Sequence, residues 1–475
     1  MGGMQRPGMQ RAVHFVSLGC PKNRVDTEVM LGASEHAGFR RIAAAERAEV
    51  IVVNTCGFIE AAKQESIDTI LELSRHKQEG ACRKLVVAGC LAQRYPRELA
   101  EQLPEVDHFL GTADLLRLPE ILASSDAKAA GRVLVGNPAD YLPRANDPRT
   151  LSGPAHSAYV KIAEGCSRRC SFCAIPSFRG RQRSRPIRDL MRECERLLSR
   201  GVVELNLVSQ DTVRYGRDLA SGDNLTRLVA ALAELPGLHW LRLFYLYPER
   251  LDRGLLELLG HHPKVVPYLD MPLQHASDRM LRRMRRGHGG TRLRRLIERV
   301  RREVPGATLR SAFIVGHPGE SEADFAQLEG FVRWAELDHL GVFLYSAEEG
   351  TPSASQAEAV APELAQERQR RLLSLQRSIS RRKLRALVGR TLQVLVDGVS
   401  PESEWVLEGR HPGQAPEVDG MLVLVNGTAR SGELREARVT ASGDYDLVAD
   451  LIAEDGSKPA RPPGPRGSLH LPIVH

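Results

Sequence analysis

Three apolar runs, VHFVSLG, EVIVVNT and KLVVAG, recur through the first part of the chain, separated by stretches with helical length and periodicity. This alternation predicts βαβ units and a parallel sheet over residues 11–126. From about residue 127 to 157 the chain turns to Gly, Pro and small polar residues, and 127–151 is predicted as a linker. Six further apolar runs follow, at 158–163, 202–208, 240–246, 265–269, 309–315 and 340–345, and helical segments of suitable length separate most of them. That order predicts a partial (β/α)6 barrel over 152–383, with its site at the C-terminal ends of the strands. Those ends carry polar, distinctive segments: GCSRRCSFC, SQDT, YPER, MPLQH, GHPGE and YSAEEGTP.

A long charged helix, from Pro362 to about Leu387, closes the barrel unit. Five short strand-like runs come next (TLQVLVD, SEWVLEG, GMLVLVN, EARVTAS, YDLVADLI), divided by turn residues at close spacing. They predict a small C-terminal antiparallel β-barrel of the OB kind over 384–455. The tail, 456–475, is rich in Pro and Gly and predicted disordered. The fold class is therefore α/β, with a parallel N-terminal domain, a central partial barrel and a small β-barrel.

The 475 residues are 42% hydrophobic, enough for two or three domains with their own cores. MGGMQRPGMQR lacks the apolar segment of a signal peptide, and no run of 18 apolar residues occurs, so a cytoplasmic location without membrane contact is expected. In a reducing compartment, clustered thiols point to metal ligands or catalysis rather than disulfides. The net charge of +7 is unevenly placed. Eleven arginines lie between Arg279 and Arg302, and Arg179, Arg181, Arg183, Arg185 and Arg188 form a second basic run. Residues 384–455 reverse the balance, with six arginines against thirteen Asp and Glu.

Six of the eight cysteines form two triplets. Cys20, Cys56 and Cys90 each directly follow one of the first three strand runs. Parallel strands with crossover helices all end on one edge, so these thiols are expected together despite their sequence separation. Cys166, Cys170 and Cys173 lie in one loop, as C-x3-C-x2-C. A cubane 4Fe-4S cluster normally takes four thiolates, so each triplet leaves one iron open to a ligand from outside the protein. The competing reading, zinc, generally pairs C-x2-C units and needs a fourth ligand, and the nearest histidine, His156, precedes the strand. Cys82 and Cys194 lack this placement and read as ordinary small residues.

C-x3-C-x2-C at the head of a partial barrel resembles the radical S-adenosylmethionine superfamily. The resemblance implies that the open iron at Cys166, Cys170 and Cys173 chelates S-adenosylmethionine, which is split to a 5′-deoxyadenosyl radical. It also marks Phe172, before the third cysteine, and Gly316 and Glu320, within FIVGHPGES, as candidate cofactor-binding residues. The same Gly-Pro-Gly residues equally make a plain strand-to-helix turn. The three-cysteine α/β domain, barrel and small β-barrel, called a TRAM domain in the family, look together like the methylthiotransferases. That likeness spans about residues 11 to 455 and implies a second 4Fe-4S cluster on Cys20, Cys56 and Cys90 whose open iron carries sulfur.

Within that family, LGCPKNRVDTE, VVNTCGFIEAAKQESIDTI, SQDTVRYG, DMPLQHASDRMLRRMRRG and YSAEEGTPSA resemble the ribosomal-protein branch, the RimO type. This implies methylthiolation of an aspartate β-carbon in small-subunit ribosomal protein twelve, with electrons from a reductant such as flavodoxin or ferredoxin. Its C–H bond is a poor acid, which gives a radical route its chemical reason. The acidic C-terminal barrel agrees, since ribosomal proteins are basic while a nucleic-acid module must present Lys and Arg; the same acids also fit a solvated face. The Arg279–Arg302 stretch leaves a contact with ribosomal RNA open. Asp270, Gln274 and His275 are expected at the site without assigned roles. Two alternatives stay open: a tRNA adenosine methylthiotransferase and a non-catalytic, zinc-bearing ribosome-binding protein.

Overall fold

The structure, a computed structural model, describes residues 11–124, 131–249 and 251–452. The predicted tail 456–475 and the start of the predicted linker lie outside the described residues. The chain divides into two compact units between Gln376 and Arg377.

The first unit opens with strands β1 (Ala12–Ser17), β2 (Arg40–Arg41), β3 (Val50–Thr55), β4 (Lys84–Gly89), β5 (His108–Leu110) and β6 (Val133–Leu134). They form one parallel sheet in the order β2-β1-β3-β4-β5-β6. Alternate residues of β3 and β4 serve opposite faces, as the pleat requires. Ile51, Val53, Leu85 and Val87 pack against Ile70, Leu73 and Leu91, while Val50, Val52, Val86 and Ala88 pack with Met30, Leu118 and Leu122. Because helices cover both faces, β3 is buried along its whole length and reads as a continuous apolar run.

The predicted linker has little regular structure but is not loose. It supplies β6, and Arg149 is clasped between Glu28 of the first sheet's helix Pro21–His36 (2.6 Å) and Glu193 (2.5 Å). Gly and Pro predict the loss of helix and strand; they say nothing about packing.

Strand β7 (Ser157–Lys161) begins the second sheet, and β8 (Ala163–Glu164) pairs with β9 (Arg183–Ser184) in a two-residue antiparallel ladder. Strands β10 (Glu204–Val208), β11 (Trp240–Leu243), β12 (Val265–Asp270), β13 (Thr308–Val315) and β14 (His339–Leu344) complete a six-stranded parallel sheet ordered β14-β13-β12-β11-β10-β7. All six predicted barrel strands are present, within a few residues of their expected ends. The helix Pro362–Arg385 runs on into the second unit.

In the second unit, β15 (Thr391–Ser400), β16 (Ser403–Arg410), β17 (Leu422–Asn426), β18 (Leu434–Ser442) and β19 (Leu447–Leu451) close a barrel around Val394, Val396, Leu424, Val439 and Ala449. Its seams are antiparallel except β17 with β19, which is parallel. Among the described residues, no helix is long and apolar enough to cross a membrane.

Candidate functional site

Register places the first triplet. Ser17 of β1 pairs with Asn54 of β3, and Asn54 with Ala88 of β4, so the three strands end level on one edge. Cys20, Cys56 and Cys90 leave that edge within three residues of those ends. Two glycines bring them into contact. A Cβ on Gly19 (φ +87°) would lie 2.8 Å from Cys56 Cβ, and one on Gly57 would lie 2.9 Å from the Cys90 carbonyl carbon. Asn23 ties the edge together: its amide donates to the Leu18 (3.1 Å) and Thr55 (2.9 Å) carbonyls, and its oxygen accepts from Arg179 (2.7 Å).

The second triplet is built locally. The β8/β9 ladder ties the two ends of the loop that carries it, and Cys166 N–H donates to the Gly180 carbonyl (3.0 Å). Ser171 is held by the carbonyls of Arg283 (2.7 Å) and Met284 (3.1 Å). Arg168 pairs with Asp211 of SQDT (2.5 Å) and Glu249 of YPER (2.6 Å). Arg168 and Arg286 both stack on Tyr247, at 3.5 and 4.0 Å from the ring centre, and Arg286 donates to Cys170 Sγ at 3.4 Å.

The two triplets adjoin. Ala174 and Phe178, directly after Cys173, pack on Cys90. Arg179, buried, donates to Cys90 Sγ from Nε (3.2 Å) and Nη2 (3.0 Å) and pairs with Asp26 (2.8 Å) and Glu164 (3.3 Å). Lys161 completes this cluster by pairing with Asp26 and with Glu164 (2.7 Å). On another side, Glu348 of YSAEEGTP is buried against Arg94 (2.6 Å) and Lys63 (3.3 Å) of the first sheet's helices. Buried charges paired across the two sheets explain why both belong to one compact unit.

Burial pushes the thiols of Cys56 and Cys173 up to about 12 and that of Cys166 to about 11, with neighbouring thiols adding to the effect. Cys90 is also raised by burial, despite Arg179. Burial opposes ionisation of Cys20 too, but Lys22, the Asn23 N–H and Arg179 outweigh it and hold this thiol below its ordinary value. The raised thiols, Cys56, Cys90, Cys166 and Cys173, need a cation to ionise, which an iron–sulfide core would supply. A single zinc ion needs four donors within about 2.0–2.3 Å, whereas each triplet offers three thiols. In a cubane each thiolate takes its own iron, so three thiols with one iron left open match that donor set.

Of the candidate cofactor residues, Phe172 is half-buried within the loop. Glu320 is buried with both oxygens engaged, by His275 Nε2 (3.0 Å), Gly316 N–H (2.7 Å) and Arg368 (2.8 Å). His275 and Asp270 brace the strand ends as well. Asp270 accepts from Tyr245 N–H (3.0 Å) and pairs with Arg310 (3.0 Å), and Gln274 bridges to Phe313 with φ 73°. The basic run after Cys173 is divided: Arg179 and Arg185 are buried, Arg183 is half-buried, and Arg181 and Arg188 are exposed. Arg185 is buried with Asp189 and Glu193, and Arg183 donates to the carbonyls of Pro138, Ala139 and Tyr141. Within Arg279–Arg302, Arg279 pairs with Asp324, Arg283 with Glu358 and Arg299 with Glu303, while Arg282, Arg285, Arg292 and Arg295 are exposed.

Sequence reasoning missed Arg179, Asp26, Lys161 and Lys22. A charge in a basic run reads as solvated, and the partner that buries Arg179 lies 153 residues away. The signal that existed was local: Asp26 and Lys22 both stand in the segment LGCPKNRVDTE beside Cys20.

Three domain families match in register with this architecture: the uncharacterized protein family UPF0004 over residues 12–111, the radical SAM superfamily over 160–332 and the TRAM domain over 388–452. The ribosomal protein uS12 methylthiotransferase RimO of Sorangium cellulosum (strain So ce56) is 58% identical over 453 residues, covering 94% of this chain and 92% of the relative. The chain belongs to the uS12 methylthiotransferase RimO family. A second RimO, from Anaeromyxobacter sp. (strain K), is 49% identical and covers 96% of each chain, and that of Myxococcus xanthus (strain DK1622) is 46% identical over 94% of this chain and 93% of its own. Among solved structures, the radical S-adenosylmethionine methyltransferase TsrM from Kitasatospora setae, with cobalamin and a [4Fe-4S] cluster bound, shares the fold. Its TM-score is 0.50 at 17% identity, over 73% of this chain and 77% of that one. RimO membership thus rests on identity along nearly the whole chain, while the TsrM likeness concerns architecture alone.

Proposed function

We propose that this protein methylthiolates the β-carbon of an aspartate in ribosomal protein uS12. The observation that carries the reading is the adjacency of the two triplets, with the segment after Cys173 packed on Cys90. In it, Cys166, Cys170 and Cys173 hold one 4Fe-4S cluster, and Cys20, Cys56 and Cys90 hold the other. When bound, the first cluster with S-adenosylmethionine supplies a one-electron route to an unactivated C–H bond, and the second supplies sulfur.

The chain's own residues do the positioning. Arg179 neutralises Cys90 and docks the first sheet on the second triplet's loop. Arg168 and Arg286 clamp that loop on Tyr247, and Ser171 fixes its middle. Phe172 lies within the loop beside the third thiolate, while Gly316 and Glu320 follow the end of β13, Glu320 engaged by three internal partners rather than facing outward. The acidic barrel suits docking of a basic protein, and exposed Arg282, Arg285, Arg292 and Arg295 are the residues for contact with ribosomal RNA if uS12 is met on the subunit. Electrons come from a small reductant of the flavodoxin or ferredoxin kind, in the cytoplasm.

The test is anaerobic incubation of the reconstituted protein with uS12 and, separately, with tRNA, followed by mass spectrometry of both. A methylthio gain on the uS12 aspartate is expected. A gain on tRNA alone overturns the reading, as does a colourless protein holding zinc without iron or sulfide.

A further inference from the structure

The buried cations of the first unit follow a rule with two exceptions. Lys161 and Arg179 share Asp26 and Glu164, Arg185 has Asp189 and Glu193, Arg242 has Glu204, and Arg368 has Glu320. Arg286 lacks a carboxylate, but its guanidinium is spent on Cys170, the Pro272 carbonyl and the face of Tyr247. Lys22 is the other exception. It is 9% exposed, and its ammonium rests 3.4 Å from the centre of the Tyr245 ring. Asp270, whose charge acts on Lys22, has its oxygens on Tyr245 N–H and Arg310, and among the described residues no carboxylate stands within ion-pair distance of Lys22. A desolvated ammonium with a ring and a thiol for company is costly unless an anion joins it.

Its position is as specific as its lack of a partner. Lys22 follows Cys20 by two residues and reaches from the first sheet's edge to Tyr245, just past the end of β11. Tyr245 is held at φ 57°, a conformation side chains rarely adopt, with its N–H fixed by Asp270. Two residues on, Tyr247 carries Arg168 and Arg286 beside the second triplet. The segment Tyr245–Tyr247 therefore meets Lys22, two residues from Cys20, at one end and Arg168 and Arg286 of the second triplet's surroundings at the other.

We propose that Lys22 receives the carboxylate of the substrate aspartate, setting its β-carbon between the two triplets and selecting an acid over its amide. This rests on the uS12 reading above. A lysine suits the task because its compact ammonium carries three donors, of which Tyr245 engages at most one while the carboxylate accepts the rest.

The test measures binding rather than turnover. The reconstituted enzyme is titrated with uS12 and with a uS12 variant whose acceptor aspartate is replaced by asparagine, using wild type, Lys22→Gln and Lys22→Arg. Wild type should bind the aspartate form about tenfold more tightly than the asparagine form, the scale of a desolvated charge pair. Lys22→Gln should bring that ratio to about one with iron and sulfide content unchanged, and Lys22→Arg should keep part of it. A Lys22→Gln enzyme that retains the full preference overturns the proposal. So does a wild-type enzyme that binds both forms equally, a result needing no enzyme variant. A variant that keeps the preference while shifting only the spectrum of the Cys20 cluster also overturns it, because Lys22 then serves the cluster. Failure of the uS12 reading would look different: wild type would neither bind nor modify uS12 and would modify tRNA.

Discussion

The two cysteine triplets are built in opposite ways. Cys166, Cys170 and Cys173 sit in one loop whose ends are tied by a two-residue ladder, so local chain geometry gathers them. Cys20, Cys56 and Cys90 are gathered only because three strands end in register and two glycines let their loops touch. The first is a motif and the second is a consequence of a fold. A site of the second kind depends on everything that holds the sheet edge in place, including the buried charges shared with the barrel.

The largest effects should separate the triplets by role. Cys56→Ala and Cys170→Ala are each expected to abolish methylthiolation of uS12, but Cys56→Ala should still cleave S-adenosylmethionine and Cys170→Ala should not; product analysis by liquid chromatography checks both. Next comes the charge that joins them. Arg179→Gln leaves Lys161 as the one cation paired with Asp26 and Glu164 and removes the donor to Cys90, and it should cost about 3–5 kcal/mol in denaturant unfolding, the scale for breaking a buried ion pair. A cost under about 0.5 kcal/mol, the range of ordinary surface substitutions, would show that the triplets are independent.

Gly19→Ala tests the fold-built triplet alone. Forcing a Cβ to 2.8 Å from Cys56 at φ +87° should cost about 1–3 kcal/mol and impair loading at Cys20, Cys56 and Cys90, with the electron paramagnetic resonance signal of the other cluster intact. The smallest effect is a slope with pH. Burial works against ionisation of Glu348, but Ser346, Arg94 and Lys63 hold its carboxyl below the ordinary range. A depressed folded value means that Glu348 stabilises the joined sheets above the unfolded carboxyl's value near 4.3 and that this contribution fades as pH falls below it. Thermal unfolding between about pH 5 and 2 should show the loss, and Glu348→Gln should flatten it.

The same contrast decides what could be read from the sequence. Long apolar runs named the six strands of the barrel, the three main strands of the first sheet and all five of the small barrel: β3, β10 and β11 are buried along their whole length, while strands such as β18 and β19 bury alternate residues. The two- and three-residue strands β2, β5 and β6 escaped notice; they carry too few residues to show a period. Both triplets were legible, one from spacing and one from placement at strand ends. Arg179, Asp26 and Lys161 were not, since their burial is created by packing between residues far apart in the chain. Glu320 was legible as part of a segment, yet its engagement by His275, Gly316 and Arg368 shows a brace rather than an open ligand.

The most direct measurement is iron and sulfide analysis of the anaerobically reconstituted wild type, Cys56→Ala and Cys170→Ala. The two-site account predicts about eight irons and eight sulfides in the wild type and about four of each in either variant. Zinc in place of iron, or loss of all iron from a single substitution, would contradict it.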